Sequence, residues 1–407
     1  MKKLLSILCA AVLLATLVIT CVSCGGSSVS ADFKVGAILI GDENEGYTYA
    51  HINGIRTAAK ELGMSDDQII WKYTVPEDEK CYDAAIDLVE QGCSVIFSNS
   101  YGHQSHMKQA AQECPDVTFV AMTGDQAATS GLSNYKNAFT GVYQSRYVAG
   151  VAAGMKLAEL VADGKLTDAN YDGDNIKLGY VGAYPYAEVV SGFTAYYLGV
   201  KSVVENVTMQ VTYTNSWFDI TAEGTVAEAL AADGCVIISQ HADSTGAPAA
   251  VQALQDKGQV IYCVGYNVDM LSVAPNAALT SPTNTLAVYY KYAMETAANG
   301  GTIDTNWAKG YEADAVGITA LGSACAAGTQ EKVDEVGKGL KDGSIKVFDT
   351  SKFTVGGATL TEYLADVDGD FAPDTNAIWD GYFHESEMRS APYFDIRIDG
   401  IVENNNN

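Results

Sequence analysis

Beyond residue 32, one pattern repeats along this chain: a short β-rich run, a glycine or polar turn, then a stretch of helical period. Strands are predicted at 34–40, 69–74, 94–97 and 117–122, alternating with helices whose apolar positions recur on one face. In the first helix that face is Ile52, Ile55, Ala59 and Leu62, and Gly63 stops it. After a loop, 142–162 makes a long helix rich in Ala and Gly. The alternation then restarts, with strands at 176–181, 207–213, 235–239 and 260–264 and helices at 187–201, 219–232 and 247–257. Strands alternating with helices imply parallel sheets with helices on both faces. Two runs of the pattern imply two lobes. A helix at 284–299 and apolar segments at 310–319 and 329–342 return to these lobes, while 351–402 is irregular and rich in Gly, Asp and aromatics.

The amino terminus is a separate device. Lys2 and Lys3 precede an uncharged apolar run at 4–20, the form of a secretory signal and marginal as a membrane span of ~20 residues. Val22-Ser23-Cys24, followed by Gly25-Gly26-Ser27-Ser28, resembles a bacterial lipobox with Cys24 as the lipidated residue. Cys21 is a second candidate; Ser23 and the flexible Gly-Ser stretch favour Cys24. Residues 1–23 would be removed and 24–32 would act as a tether. Of 407 residues, 24 are Lys or Arg and 50 are Asp or Glu, a formal charge of −26. That excess repels phosphate backbones and argues against nucleic-acid binding. Cys93, Cys235 and Cys263 lie in or beside apolar runs and read as small buried hydrophobes; no disulfide pairing is assigned.

In open α/β sheets, ligands bind beyond the carboxyl ends of the strands. Those positions carry Asp42, Tyr47, Asn99 and Asp125 in the first lobe, and Tyr186, Trp217, Gln240 and Asp269 in the second. Aromatic faces beside short polar side chains suit a flat, neutral, polar ligand. Asp219 and Ser244 precede helices and fit equally well as N-caps. The chain has no GxSxG elbow, P-loop, HExxH or GxGxxG after a strand, so no enzymatic activity and no cofactor is expected. His103 and His106 share a helix face and read as solvated histidines; no metal site is assigned to them. Asp366, Asp368 and Asp370 make DxDxD, but Phe371 and Ala377 occupy positions where a calcium loop needs Gly and an acid, which excludes an EF-hand.

The run from Asn137-Ala138-Phe139-Thr140-Gly141-Val142 through Arg146 to Gly154 resembles the basic membrane protein family, lipoprotein solute-binding components of ABC transporters similar to bacterial purine nucleoside receptors. Further similar strings are Tyr184-Pro185-Tyr186-Ala187-Glu188-Val189, Thr214-Asn215-Ser216-Trp217-Phe218-Asp219, Gln240-His241-Ala242-Asp243-Ser244-Thr245 and Gly265-Tyr266-Asn267-Val268-Asp269-Met270. The resemblance spans about Val35 to Gly317. It implies a type I periplasmic-binding-protein fold: two Rossmann-like α/β lobes joined by three crossovers, with residues 33–141 and about 283–325 in the first and 142–282 and about 326–402 in the second. It also implies a purine nucleoside or nucleobase between the lobes, ABC permease subunits as partners, and a monomer held by its lipid at the extracytoplasmic face of the cell membrane. By position, Tyr47 would stack on the base, Tyr186 and Trp217 would line the other wall, and Asp269 would accept a ligand hydrogen bond. Asn99 and Gln240 would read polar edges, with Asp42 and Asp125 behind them. Family members that take nucleosides commonly carry a Lys shortly after the segment matching 279–281, where this chain has Pro282-Thr283-Asn284. A bare nucleobase or another flat heterocycle is therefore a competing ligand, and a clamshell sensing for a receptor kinase is the competing role.

Overall fold

The computed structural model describes residues 29–404; the signal-like run and Cys24 lie outside the described residues. The first lobe begins with β1 (Val35–Ile38), α1 (Gly46–Glu61), β2 (Ile69–Lys72), α2 (Glu79–Glu90), β3 (Val95–Ser98), α3 (Gln104–Glu113), β4 (Thr118–Met122) and β5 (Tyr135–Thr140). The second follows with α4 (Val142–Ala162), β6 (Asn175–Gly182), α5 (Ala187–Lys201), β7 (Val207–Tyr213), α6 (Ile220–Ala232), β8 (Ile237–Gln240), α7 (Gly246–Asp256) and β9 (Tyr262–Val264). The chain then passes through β10 (Pro282–Asn284), α8 (Ala287–Ala298), β11 (Asn306–Lys309), β12 (Val316–Ile318) and α9 (Thr329–Lys341), and ends in β13 (Ile401–Glu403).

The first sheet runs β11-β5-β4-β3-β1-β2 and the second β9-β8-β6-β7-β13, with every one of these pairings parallel. Three connections join the lobes. One is the turn from β5 into α4; the other two are β10 and β12, which pair antiparallel with Pro282 opposite Ile318. Leu286, Tyr289, Tyr290 and Met294 of α8 bury in the first-lobe core, whereas Val333, Val336 and Leu340 of α9 bury in the second. Helices α4 and α5 cross at Gly150 and Gly199. A methyl on Gly150 would collide with the Tyr196 carbonyl, and one on Gly199 with the Tyr147 carbonyl. The small-residue composition of α4 is thus spent on close helix approach. Among the described residues no helix is long and apolar enough to cross a membrane.

The sequence pattern and the structure coincide closely at α4, α5 and β7, and strands β5, β10 and β11 fall where no strand is expected. Strand β5 falls where a loop is expected. Its six residues are all buried, and Asn137 is satisfied inside, donating from Nδ2 to the Ala121 carbonyl (3.1 Å) and accepting from the Ala127 N–H (2.6 Å). A polar residue with both ends bonded costs the strand little, but it erases the apolar signature. The stretch 351–402 has only two-residue strand pairs until β13, yet Phe353, Phe383, Phe394, Ile396 and Ile398 are buried in the second-lobe core. Phe394 stacks on Phe348 at 4.1 Å. The six described cysteines are free thiols, with Cys93, Cys235 and Cys263 buried.

Candidate ligand-binding cleft

The lobes face each other across a cavity of about 480 Å³, within the range of ~300–1,000 Å³ usual for small-molecule sites. Its first-lobe wall follows the ends of β1, β2, β3 and β4: Asp42, Glu45 and Tyr47, then Thr74 and Glu77, then Asn99 and Tyr101, then Thr123. Its second-lobe wall follows β6 to β9: Glu188, Trp217 with Phe218, Asp243, and Tyr266. The lobes approach closely here. A methyl on Gly46 would sit 3.3 Å from the Asp243 carbonyl oxygen. Backbone strain gathers at the same edge. Thr74 and Thr123 in the first lobe and Asn215 and Asn267 in the second have positive φ, unusual above all for β-branched Thr.

Much of the first wall is bonded to itself. Glu45 is the N-cap of α1, accepting from the Tyr47 N–H (2.7 Å) and the Thr48 N–H (2.8 Å). The Tyr47 hydroxyl donates to the Asn99 carbonyl (2.5 Å), and the Tyr47 ring meets His51 edge-on. Asn99 is buried; its Oδ1 accepts from the Ile40 N–H (2.8 Å) and its Nδ2 donates to Thr48 (3.3 Å). Glu77 accepts from Ser100 and from the Gly102 N–H. Asp42 accepts from the Asn44 backbone and side chain. Tyr101 donates to Asp125 (2.9 Å), which lies behind the wall and faces Arg389 of the carboxyl-terminal stretch at 3.8 Å.

The second wall rests on Arg146, a fully buried residue of α4. It donates to the Tyr180 hydroxyl (2.7 Å) and the Gln240 carbonyl (2.8 Å), and its guanidinium lies 3.9 Å from the centre of the Tyr266 ring. Glu188 contacts His241 Nε2 at 3.3 Å. Burial drives the His241 imidazole well below its ordinary pKa, with Arg146 adding to the effect, so it is neutral. Burial lifts Glu188 to about 7 although Arg146 opposes the shift. Asp243 is pushed well above the carboxylate range, first by burial and then by the charges of Glu45, Glu188 and Glu223. It accepts from Asn267 Nδ2 at 2.8 Å.

Of the eight binding residues read from the sequence, the structure brings Asp42, Tyr47, Asn99 and Trp217 to the cavity. The other four stand elsewhere. Gln240 is buried behind the wall, donating to the carbonyls of Ala242 (2.7 Å) and Ser244 (2.9 Å), and so fixes the loop that carries Asp243. Asp269 is exposed and accepts from the Leu271 N–H (2.8 Å), a turn contact. Tyr186 is 54% exposed and stacks on Tyr184, and Asp125 reaches the cavity through Tyr101. Sequence reading passed over Glu45, Glu188, Asp243 and Tyr266. All but Glu45 lie inside strings already singled out, but position in a string does not show which way a side chain points.

Asp219 caps α6, accepting from Thr221 and Ala222. His103 is corrected: it is fully buried, bonded to the Val75 carbonyl at 2.9 Å, because the 3-10 turn before α3 rotates it inward. Oxygens of Asp366, Asp368 and Asp370 lie within 4.8 Å of one another, but Asp366 and Asp370 accept from backbone N–H groups of their own loop.

Residues 40–350 match the family described as ABC transporter substrate-binding protein PnrA-like. A purine-binding protein of Brucella abortus is 32% identical over 267 residues, 65% of this chain and 69% of that protein. A Haloferax volcanii protein named as an ABC transporter glucose-binding protein is 28% identical, over 68% of this chain and 64% of that one. Among solved structures, an ABC transporter solute-binding protein from Aeropyrum pernix superposes with a TM-score of 0.62 at 16% identity, covering 78% of this chain and 93% of that one, a likeness of fold. The α/β architecture of two parallel-sheet lobes is thus that of periplasmic binding proteins, and the chain belongs to the Bmp family of PnrA-like ABC transporter substrate-binding proteins.

Proposed function

We propose that this protein captures a purine nucleobase or nucleoside between its lobes and presents it to the permease of an ABC importer, tethered to the extracytoplasmic membrane face by lipid on Cys24. The observation that carries the ligand reading is the cavity wall itself. Tyr47 and Tyr101 face Trp217, Phe218 and Tyr266 across a gap ringed by carboxylates and amides. A flat heterocycle gains from aromatic stacking, ~0.5–1.5 kcal/mol per ring pair beyond area burial, and from edge hydrogen bonds. The purine-binding relative supports the same reading. Closure follows because the closed form alone lets a ligand touch both walls.

Native mass spectrometry of the protein as purified, followed by calorimetry with purine bases and nucleosides, tests the ligand. A co-purified purine or micromolar binding is the expected result; binding of hexoses with no purine heat overturns it. Metabolic labelling with a fatty acid tests the anchor, and label that persists in Cys24→Ala overturns the assignment.

A further inference from the structure

The charged residues that line the cavity are Asp42, Glu45, Glu77, Glu188 and Asp243, every one an acid. No Lys, Arg or His lines it; the nearby cation, Arg146, is buried behind the wall, bonded through Nη1 to Tyr180 and Gln240 and set against the Tyr266 ring, with Nε and Nη2 making no hydrogen bond among the described residues. An anion placed here would find no cation on the lining to balance its charge.

Free acceptors on the wall outnumber free donors, of which the Thr123 hydroxyl is one. Several lining donors are already committed: Tyr47 to a carbonyl, Tyr101 to Asp125, Ser100 to Glu77 and the Asn99 amide to Thr48. Glu45 and Glu77 hold their own backbone. Asp42, Glu77, Glu188 and Asp243 each commit one oxygen, the last two to His241 and Asn267, and the second oxygen of each makes no hydrogen bond among the described residues; of these four, Glu188 and Asp243 stand on the second-lobe wall. Glu188 keeps 23% of its side-chain surface open. Both acids stand on the wall opposite Tyr47.

Building on the heterocycle reading above, we infer that the cavity selects a purine-like ring that offers N–H donors along one edge and carries no negative charge, with Glu188 and Asp243 setting that selectivity. Amino-substituted bases such as adenine and guanine satisfy both conditions. Hypoxanthine offers fewer donors, and urate and nucleoside monophosphates fail on charge. A second consequence concerns protons. Glu188 faces His241 and Arg146, and Asp243 faces Glu45, Glu188, Glu223 and Arg146. Desolvation raises both carboxyls, Glu188 to about 7 and Asp243 well above the ordinary carboxylate range. A donor-rich ligand favours their ionised forms, so its binding releases protons.

The test is calorimetry at pH 7.5 with adenine, guanine, hypoxanthine, urate and AMP, repeated in two buffers of different ionisation enthalpy. Wild-type protein is expected to bind an amino-purine at least tenfold tighter than hypoxanthine, to give no heat with urate or AMP, and to release protons. Glu188→Gln and Asp243→Asn, checked for unchanged melting behaviour, are expected to shrink the amino-purine preference to threefold or less. Urate or AMP binding as tightly as adenine overturns the inference, as does a preference that survives both variants. In either case purine binding, and with it the heterocycle reading, still stands. If no purine binds wild-type protein at all, the heterocycle reading itself has failed.

Discussion

The two walls of the cleft are built on the same plan and put it to different use. At the end of β3 the Asn99 N–H donates to the Ile38 carbonyl (3.2 Å); at the end of β8 the His241 N–H donates to the Val181 carbonyl (2.8 Å). Each residue therefore stands at the point where its sheet reverses strand order, the usual seat of a ligand in such folds. In the first lobe that place holds an amide that knots two loops together, and the surrounding acids cap backbone. In the second it holds a neutral histidine against Glu188, and two carboxyls keep an oxygen free. On the reading proposed above, both halves offer rings for stacking and the second adds the acids that discriminate.

Four measurements press on that contrast. Trp217→Ala, which strips an aromatic face from the discriminating half, is expected to weaken heterocycle binding at least tenfold in calorimetry, about 1.4 kcal/mol; unchanged affinity would remove it from the site. Asn99→Ala removes the partner of the half-buried Ile40 N–H, a loss of about 1 kcal/mol. Urea unfolding should show the destabilisation, with affinity changing less than in Trp217→Ala. If affinity collapses while stability holds, the first half reads the ligand as well.

The third measurement is a pH titration of stability. Folded Glu188 keeps its proton up to about 7, against an ordinary value near 4.5. Between those values the folded state binds more protons than the unfolded one, so stability falls as pH rises through that window. Asp243 acts in the same direction, and Glu188→Gln should therefore reduce the slope without abolishing it. A slope identical to wild type would show that the carboxyl is hydrated. Smallest of all, Asp269→Asn should alter affinity less than twofold, since that side chain serves only its own turn; a tenfold loss would return it to the ligand.

Residue order alone revealed the two-lobed architecture and the edge of each sheet that lines the cavity, because period and turn chemistry are local. It placed Tyr47, Asn99 and Trp217 on the cavity for the same reason: each follows directly on a strand end. It named Gln240 and Asp269 where the cavity is lined by Asp243 and Tyr266. Gln240 and Asp243 stand three residues apart in one string, as Tyr266 and Asp269 do in another, and which one faces inward depends on tertiary bonds such as those from Gln240 Nε2 to Ala242 and Ser244. Glu45 escaped notice because glutamate is an uncommon cap. The stretch 351–402 stayed illegible because its aromatics are ordered by partners such as Phe348 and lack any repeat of their own.

The edge strand β11 joins the first sheet beside β5 only after β6 to β9 of the second lobe have been threaded, and β13 completes the second sheet later still. During synthesis, then, the early half must wait, unfinished and sticky, while the later half is made. Neither half can be cut away as an autonomous module, and melting is expected to proceed as one cooperative event.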